Sequence, residues 1–412
     1  MKNSGLLIDF PRLQSRLEEI NGINRGNDGS CCRLALTDAD RDGRDLVVSW
    51  MRESGLDVRI DQIGNIVGLR PGTEDGPPVM TGSHLDTVAT GGRYDGTYGV
   101  LAGIEAIRTL AEKGVPTRRA LAVAVFTNEE GVRFGPDMMG SLVYSNSLSL
   151  SDALRTVADD GTILGDELKR IGYAGSMQCG EIQPHAFVEL HIEQGPVLAA
   201  EQKSLGAVVN LQGIFWQDIT IHGTANHAGT TPMRLRHDAA YCAARIAVFV
   251  RELAERFENG HVATVGFLSL KPNLVNVIAR EARLRIDMRN PDDALLKDAE
   301  RQLRGFIDEL ARKEGVKIEA RELVRTPSVK FDEGVLAVIE KAARDLGESS
   351  VRRMTSGAGH DAQMMSRICP SAMLFVPSKG GISHSPKEDT DPVHLELGAN
   401  VLTRTLERLA NA

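Results

Sequence analysis

The sequence predicts an α/β protein built on a mixed sheet, with a small ferredoxin-like βαββαβ domain inserted into it. Three observations carry that expectation. Short, continuously apolar runs such as LAVAVF (Leu121–Phe126) and SAMLFV (Ser371–Val376) have the composition of strands buried on both faces of a parallel sheet. From Leu211 to Val324 the rhythm changes to alternating strands around two amphipathic helices. The length, 412 residues, exceeds the usual size of one domain. The expected division is 1–210 with 327–412 for the larger domain and 211–326 for the insert.

Taken in order, Ile8 to Ile23 and Asp38 to Ser54 have helical spacing. Leu56 to Leu69 alternates like a hairpin around Gln62-Ile63-Gly64-Asn65. A short strand then runs into His84-Leu85-Asp86, followed by Gly91-Gly92, Asp95-Gly96 and a helix from about Thr97. LAVAVF ends in Asn128-Glu129-Glu130, and AFVELH (Ala186–His191) ends in His191-Ile192-Glu193-Gln194. SAMLFV leads to Ile382-Ser383-His384, and a helix from about Pro392 to Leu409 closes the chain. Within the insert, Ile214–Gly223, Val262–Leu270, Arg280–Met288 and Val316–Leu323 read as strands. Asp238–Phe257 and Asp292–Glu314 read as helices, which gives the split-βαβ order.

Net charge is −8, which argues against a nucleic-acid or anionic-membrane partner. Five cysteines with no CxxC spacing read as thiols in a reducing cytosol. The first residues, MKNSGLLIDFPRL, lack a signal-peptide core, and no run approaches membrane-spanning length, so a soluble cytoplasmic protein is expected.

Four predicted strand ends carry metal-type ligands: His84 with Asp95, Glu129-Glu130, His191 and His384. In a parallel sheet such ends converge on one edge. A bare carboxylate capping an apolar strand is costly without a partner. Imidazole and carboxylate together suit zinc and neighbouring divalent ions. Two ions about 3.5–4 Å apart need a bridging carboxylate and can hold a shared hydroxide, while a carboxylate beside them can shuttle a proton. Of the adjacent glutamates, one can be ligand and one base. Asp86, two residues past His84, is placed to fix that imidazole's tautomer.

GSHLDTV, GGRYDGTYGVLAG, TNEEGVRFGPDMMGS, ELHIEQGPVL, GTANHAGTTPM, NLVNVIAR, DMRN, SGAGHDAQMM and ISHSPKED follow one another from residue 82 to 389. Together they resemble the hydantoinase/carbamoylase amidases of the binuclear metallopeptidase clan. That resemblance implies a metallopeptidase-like catalytic domain and an inserted lid through which the chain forms a homodimer. It also implies two divalent ions, with zinc expected ahead of manganese, cobalt or nickel. By motif, His84 and His191 would bind one ion, Glu130 and His384 the other, and Asp95 would bridge. Glu129 would be the general base, and His227 would donate to the developing oxyanion, usually in the partner subunit's site. Asn276 and Arg289 match substrate-binding lid positions, Gln194 and Gln212 match polar positions near a ureido group, and Gly359 lies in a loop whose amides can approach a ligand carboxylate. His360 has no assigned role. The implied reaction is hydrolysis of the carbamoyl C–N bond of an N-carbamoyl-L-amino acid or a related ureido acid such as allantoate, releasing ammonia and carbon dioxide. An aminoacylase or dipeptidase of the same clan is the alternative.

Overall fold

The computed structural model of the chain describes residues 5–257, 260–348 and 350–412. Two compact units emerge: one runs to Val209 and resumes at Phe331–Ala412, the other is Asn210–Lys330. In the first unit lie β1 (Asp57–Ile60), β2 (Ile66–Arg70), β3 (Val79–His84), β4 (Leu121–Phe126), β5 (Ala186–Ile192) and β6 (Gly206–Leu211), whose last residues belong to the second. The second unit carries β7 (Gly213–His222), β8 (Val262–Lys271), β9 (Glu281–Asn290), β10 (Lys317–Thr326) and β11 (Val329–Lys330). The chain returns to the first unit with β12 (Arg352–Ser356) and β13 (Ser371–Val376).

The first unit's sheet has the order β1-β2-β4-β3-β5-β13-β6, with β12 beside β6. The central neighbours β4, β3, β5 and β13 are parallel, while β1, β2 and β6 run antiparallel to their neighbours. Every residue of the four central strands is buried, which is why their sequences show no alternation. The Thr97–Glu112 and Pro392–Asn411 helices pack on this sheet and on each other.

The β1–β2 turn is fastened from inside. The buried Asp61 carboxylate accepts the amides of Ile63 (3.1 Å) and Asn65 (2.8 Å), and Asn65 Oδ1 accepts from Thr127 N (2.9 Å), at the end of β4. Arg44, on the Asp38–Glu53 helix, pairs with Asp40 at 2.9 Å and donates to Gly64 O at 2.8 Å, both side chains being fully buried. The helix, the turn and the strand end that carries Glu129 are thereby one network.

The second unit is an antiparallel sheet ordered β10-β7-β9-β8. With the helices Ala239–Arg256 and Asp293–Glu314 it has the βαββαβ order of a ferredoxin-like fold. Asp238 and Asp292 cap these helices, each accepting two first-turn amides. Ile219, Ile221, Leu284 and Ile286 of the sheet meet Ile246 and Leu303 of the helices in the core. β8 is an edge strand, and its Val262 and Leu268 are exposed. Among the described residues no helix is long and apolar enough to cross a membrane, and all five cysteines are free thiols.

Candidate metal and active site

Four adjacent strands deliver the site. His84 ends β3, Thr127-Asn128-Glu129-Glu130 follow β4, His191 lies near the end of β5, and His384 sits on the loop after β13. Parallel pairing puts these ends on one edge of the sheet, where side chains distant in sequence meet. Asp95 reaches the same point from the turn before the Thr97–Glu112 helix. Gly96 closes that turn at φ 62°, and a Cβ there would lie 2.5 Å from three atoms of the His84 ring.

The two oxygens of Asp95 face different partners. Oδ1 lies 3.2 Å from His191 Nε2 and 3.6 Å from His84 Nε2; Oδ2 lies 3.1 Å from His384 Nε2. Glu130 Oε2 is 3.4 Å from His384 Nε2, and Glu129 Oε2 is 3.5 Å from His84 Nε2. Among the described residues three compact groups of potential ligand atoms form: His84–Asp95–His191 and Asp95–Glu130–His384, with Asp95 common to both, and Glu189–His191–His360, all three residues of which are buried.

The imidazoles are turned for metal binding. His84 Nδ1 is 2.9 Å from Asp86 O, and His191 Nδ1 is 2.9 Å from Ile192 O. Each Nδ1–H donates to a carbonyl, so each Nε2 presents a lone pair to the cluster. His191 Nε2 accepts the Gly96 amide at 3.0 Å, in keeping with that tautomer. Asp86 does hold His84, but through its backbone carbonyl. Its buried carboxylate accepts Glu129 N (3.1 Å) and Glu130 N (3.2 Å), so it fixes the peptide that carries the two glutamates. The Asp86 contact with His84 thus comes from its carbonyl, because the loop turns the carboxylate toward the amides that follow β4 and leaves the carbonyl facing the ring.

The electrostatics fit divalent cations. Burial opposes charge on Asp95, yet His191, His384 and His84 outweigh it and hold its carboxyl well below the usual range. Burial, joined by Asp361, Glu130 and Asp95, pushes Glu129 well up, and burial with Asp95 pushes Glu130 up to about 7. The contact with Asp95 draws His384 up to about 9, against burial. Glu130 Oε1 is buried with no hydrogen-bond partner. A crowd of buried carboxylates and imidazoles, one carboxylate oxygen of which has no hydrogen-bond partner, is a set of donors arranged for positive charge.

A cavity of about 160 Å³ opens on these ligands, lined also by Asp137, Gln194, Gly359 and His360. Gln194 donates to Asp95 Oδ2 at 2.9 Å, so it contacts the candidate ligand cluster as well as the cavity. His360 is buried, its Nε2 3.1 Å from Ser356 Oγ and its ring 4.6 Å from that of His191; burial and His191 hold it neutral.

His227, Gln212, Asn276 and Arg289 belong to the second unit. His227 Nδ1 accepts the amides of Gly229 (3.0 Å) and Thr230 (3.2 Å), which places its proton on Nε2 as an outward donor. Ala228 N donates to Asn276 O at 2.9 Å, so those two residues share one loop cluster. Arg289, at the end of β9, is held by Asp287 with bonds of 2.8–3.2 Å. Gln212 Oε1 is buried without a partner.

Sequence reasoning missed Glu189 and Asp361, which lie beneath the cluster. Glu189 accepts Ser83 Oγ and Ala362 N, both at 2.7 Å, and Asp361 accepts Ser141 Oγ at 2.6 Å. An acid inside the otherwise apolar run AFVELH was the available signal.

Residues 80–408 match the model of peptidase family M20/M25/M40. The chain is 38% identical over 396 residues to an N-carbamoyl-L-amino-acid amidohydrolase of Rhizobium meliloti, covering 96% of this chain and 95% of the relative. It is 36% identical over 386 residues to an allantoate amidohydrolase of Bacillus subtilis, covering 93% of each. A crystal structure of a hydantoinase/carbamoylase family amidase from Burkholderia multivorans superposes with a TM-score of 0.96 at 41% identity, covering 99% of each chain.

Proposed function

This chain belongs to peptidase family M20/M25/M40 and, within it, to the hydantoinase/carbamoylase amidases, and from that premise we propose that it hydrolyses the carbamoyl C–N bond of a ureido acid. N-carbamoyl-L-amino acids and allantoate are the substrate classes, in keeping with the relatives' names. The observation that carries the reading is the split of Asp95 between two ligand groups with Glu129 beside them.

His84, His191 and Asp95 Oδ1 would hold one divalent ion; Glu130, His384 and Asp95 Oδ2 would hold the other. Bound ions would supply Lewis acidity, easing deprotonation of a water and polarising the ureido carbonyl. Glu129, ionised once cations offset its burial, accepts the proton of the attacking water. It passes that proton to the departing nitrogen as the C–N bond breaks. The carbamate that remains loses carbon dioxide. His227 donates its Nε2–H to the carbonyl oxygen as negative charge builds there. Arg289 receives the substrate carboxylate with its planar fork, and Asn276, Gln194, Gln212 and the Gly359 backbone bind the remaining polar atoms. Zinc heads the order of expected ions, before manganese, cobalt and nickel.

We further propose a cytoplasmic homodimer, joined through the exposed β8 edge of the lid, with His227 acting in the partner's site. Light scattering and the activity of dilute monomer check this; a fully active monomer refutes action in trans. The function itself is tested by ammonia release from N-carbamoyl-L-amino acids, allantoate and β-ureidopropionate with added divalent metal. Cleavage of N-acetyl amino acids or dipeptides with no ammonia from any ureido acid would replace the reading with an aminoacylase or dipeptidase.

A further inference from the structure

Glu388 follows His384 in a stretch, SPKEDT, whose composition suggests a solvated loop, yet it is only 1% exposed. Its two oxygens serve two segments. Oε1 accepts the amides of Tyr94 (2.8 Å) and Asp95 (3.2 Å), and Oε2 accepts the hydroxyl of Ser383 (2.8 Å). Gly92 makes the first pair of bonds possible, because a Cβ there would fall 2.1–2.4 Å from the Glu388 carboxylate.

The Ser383 hydroxyl has one proton. It lies 2.8 Å from Glu388 and 3.5 Å from Asp95 Oδ2, so the closer carboxylate takes it and Asp95 Oδ2 is left to His384 and Gln194. His384 stands at φ 53°, a left-handed conformation uncommon for a non-glycine residue. The loop is closed around it by Lys379 N to Asp389 O (2.8 Å) and Glu388 N to Ser385 O (3.0 Å). His84 and His191, by contrast, are anchored on the carbonyls of Asp86 and Ile192 and owe nothing to Glu388.

We infer that Glu388 is a positioning residue: it fastens the Asp95 and His384 segments together and so sets the affinity of the Asp95–Glu130–His384 group for its ion. The inference rests on the two-ion reading above. It separates the two groups, because Glu388 ties two ligands of one group together but touches the other only through the shared Asp95.

The test is a titration of the metal-stripped full-length protein with Zn²⁺ against a chromophoric chelator, resolving two stepwise dissociation constants. His384→Ala and His191→Ala assign the steps. Glu388→Ala is expected to weaken the His384 step ~10–100-fold and the His191 step by less than ~3-fold, the range for losing an outer partner of a metal ligand. Glu388→Gln keeps an acceptor for the Tyr94 and Asp95 amides and should fall between wild type and Glu388→Ala. Ser383→Ala removes the other arm, together with the long contacts of that hydroxyl with Gln194 (3.4 Å) and Asp95 Oδ2 (3.5 Å), and should also weaken the His384 step selectively. Equal weakening of both steps, or no change in either, with native circular dichroism, overturns the inference. If Glu388→Ala does not fold, Glu388→Gln and Ser383→Ala decide in the same way. Fewer than two ions bound by the wild type would instead remove the two-ion reading.

Discussion

Replacing Asp86 with asparagine alters a fully buried group without changing its shape, and the geometry says where the damage falls. The carboxylate accepts two backbone amides, Glu129 N at 3.1 Å and Glu130 N at 3.2 Å. Asparagine retains one acceptor oxygen and turns an NH₂ toward the other amide. One charge-assisted bond is lost, ~1.5–3 kcal/mol, and a buried donor is left unpaired at a cost of ~1–3 kcal/mol. Easier burial of a neutral amide offsets part of this, leaving ~3 kcal/mol. At ~2 °C per kcal/mol for a chain of this size, Tm should fall by ~6 °C, read by calorimetry in chelator so that metal loss does not contribute. The Asp86 carbonyl still holds His84 Nδ1 in the variant. Metal loss should therefore concentrate on the group containing Glu130 and spare the one containing His84. A variant that melts within ~1 °C of wild type and binds both ions equally well would refute the reasoning.

Three further outcomes are expected. Glu129→Gln should keep metal content and Tm while kcat drops on the order of 10²–10⁴-fold, measured by ammonia release; near wild-type turnover removes Glu129 as the base. Gly96→Ala faces both a left-handed backbone and a Cβ 2.5 Å from the His84 ring. It should displace that imidazole and lower metal affinity by ~10-fold or more, checked by elemental analysis after dialysis against dilute Zn²⁺. Asp61 is raised from 3.8 to about 6, chiefly by burial and against its bonds from Asn65 and Ile63. For a raised group, the stabilisation is fully present below the unfolded value of 3.8 and is lost as pH rises through about 6. The stability of wild type relative to Asp61→Asn, from urea unfolding, should therefore decline by ~2 kcal/mol between those limits. A flat difference excludes titration of Asp61.

The strands that hold the site were legible because burial on both faces removes alternation, as in LAVAVF and SAMLFV. The second unit was legible for the opposite reason: β9 alternates buried with less buried positions and so records its one covered face. β6 and β12 were not read, nor was the Glu333–Asp345 helix between them. β6 begins with Gly206 and lacks the continuous apolar run of β4 and β13, and the pairing of β6 with β13 and of β12 with β6 is a long-range matter that local sequence does not encode. His84, Asp95, Glu130, His191 and His384 could be gathered because each ends or follows a strand. Which atom of Asp86 faces His84 could not, since peptide orientation in a loop is set by the amides it meets. Glu388 was hidden for a related reason: its burial comes from Tyr94 and Asp95, nearly three hundred positions away in the chain.

The strand pairing that closes the second unit has an outcome for how this chain can be taken apart. Asn210 pairs with Lys330 and Leu211 with Val329, and just outside them Phe331 N donates to Val209 O at 3.0 Å. The insert therefore enters and leaves at a single doorway, between residues already held side by side. A two-residue Asn-Gly turn spliced at that doorway would spare the remaining chain any long loop to close.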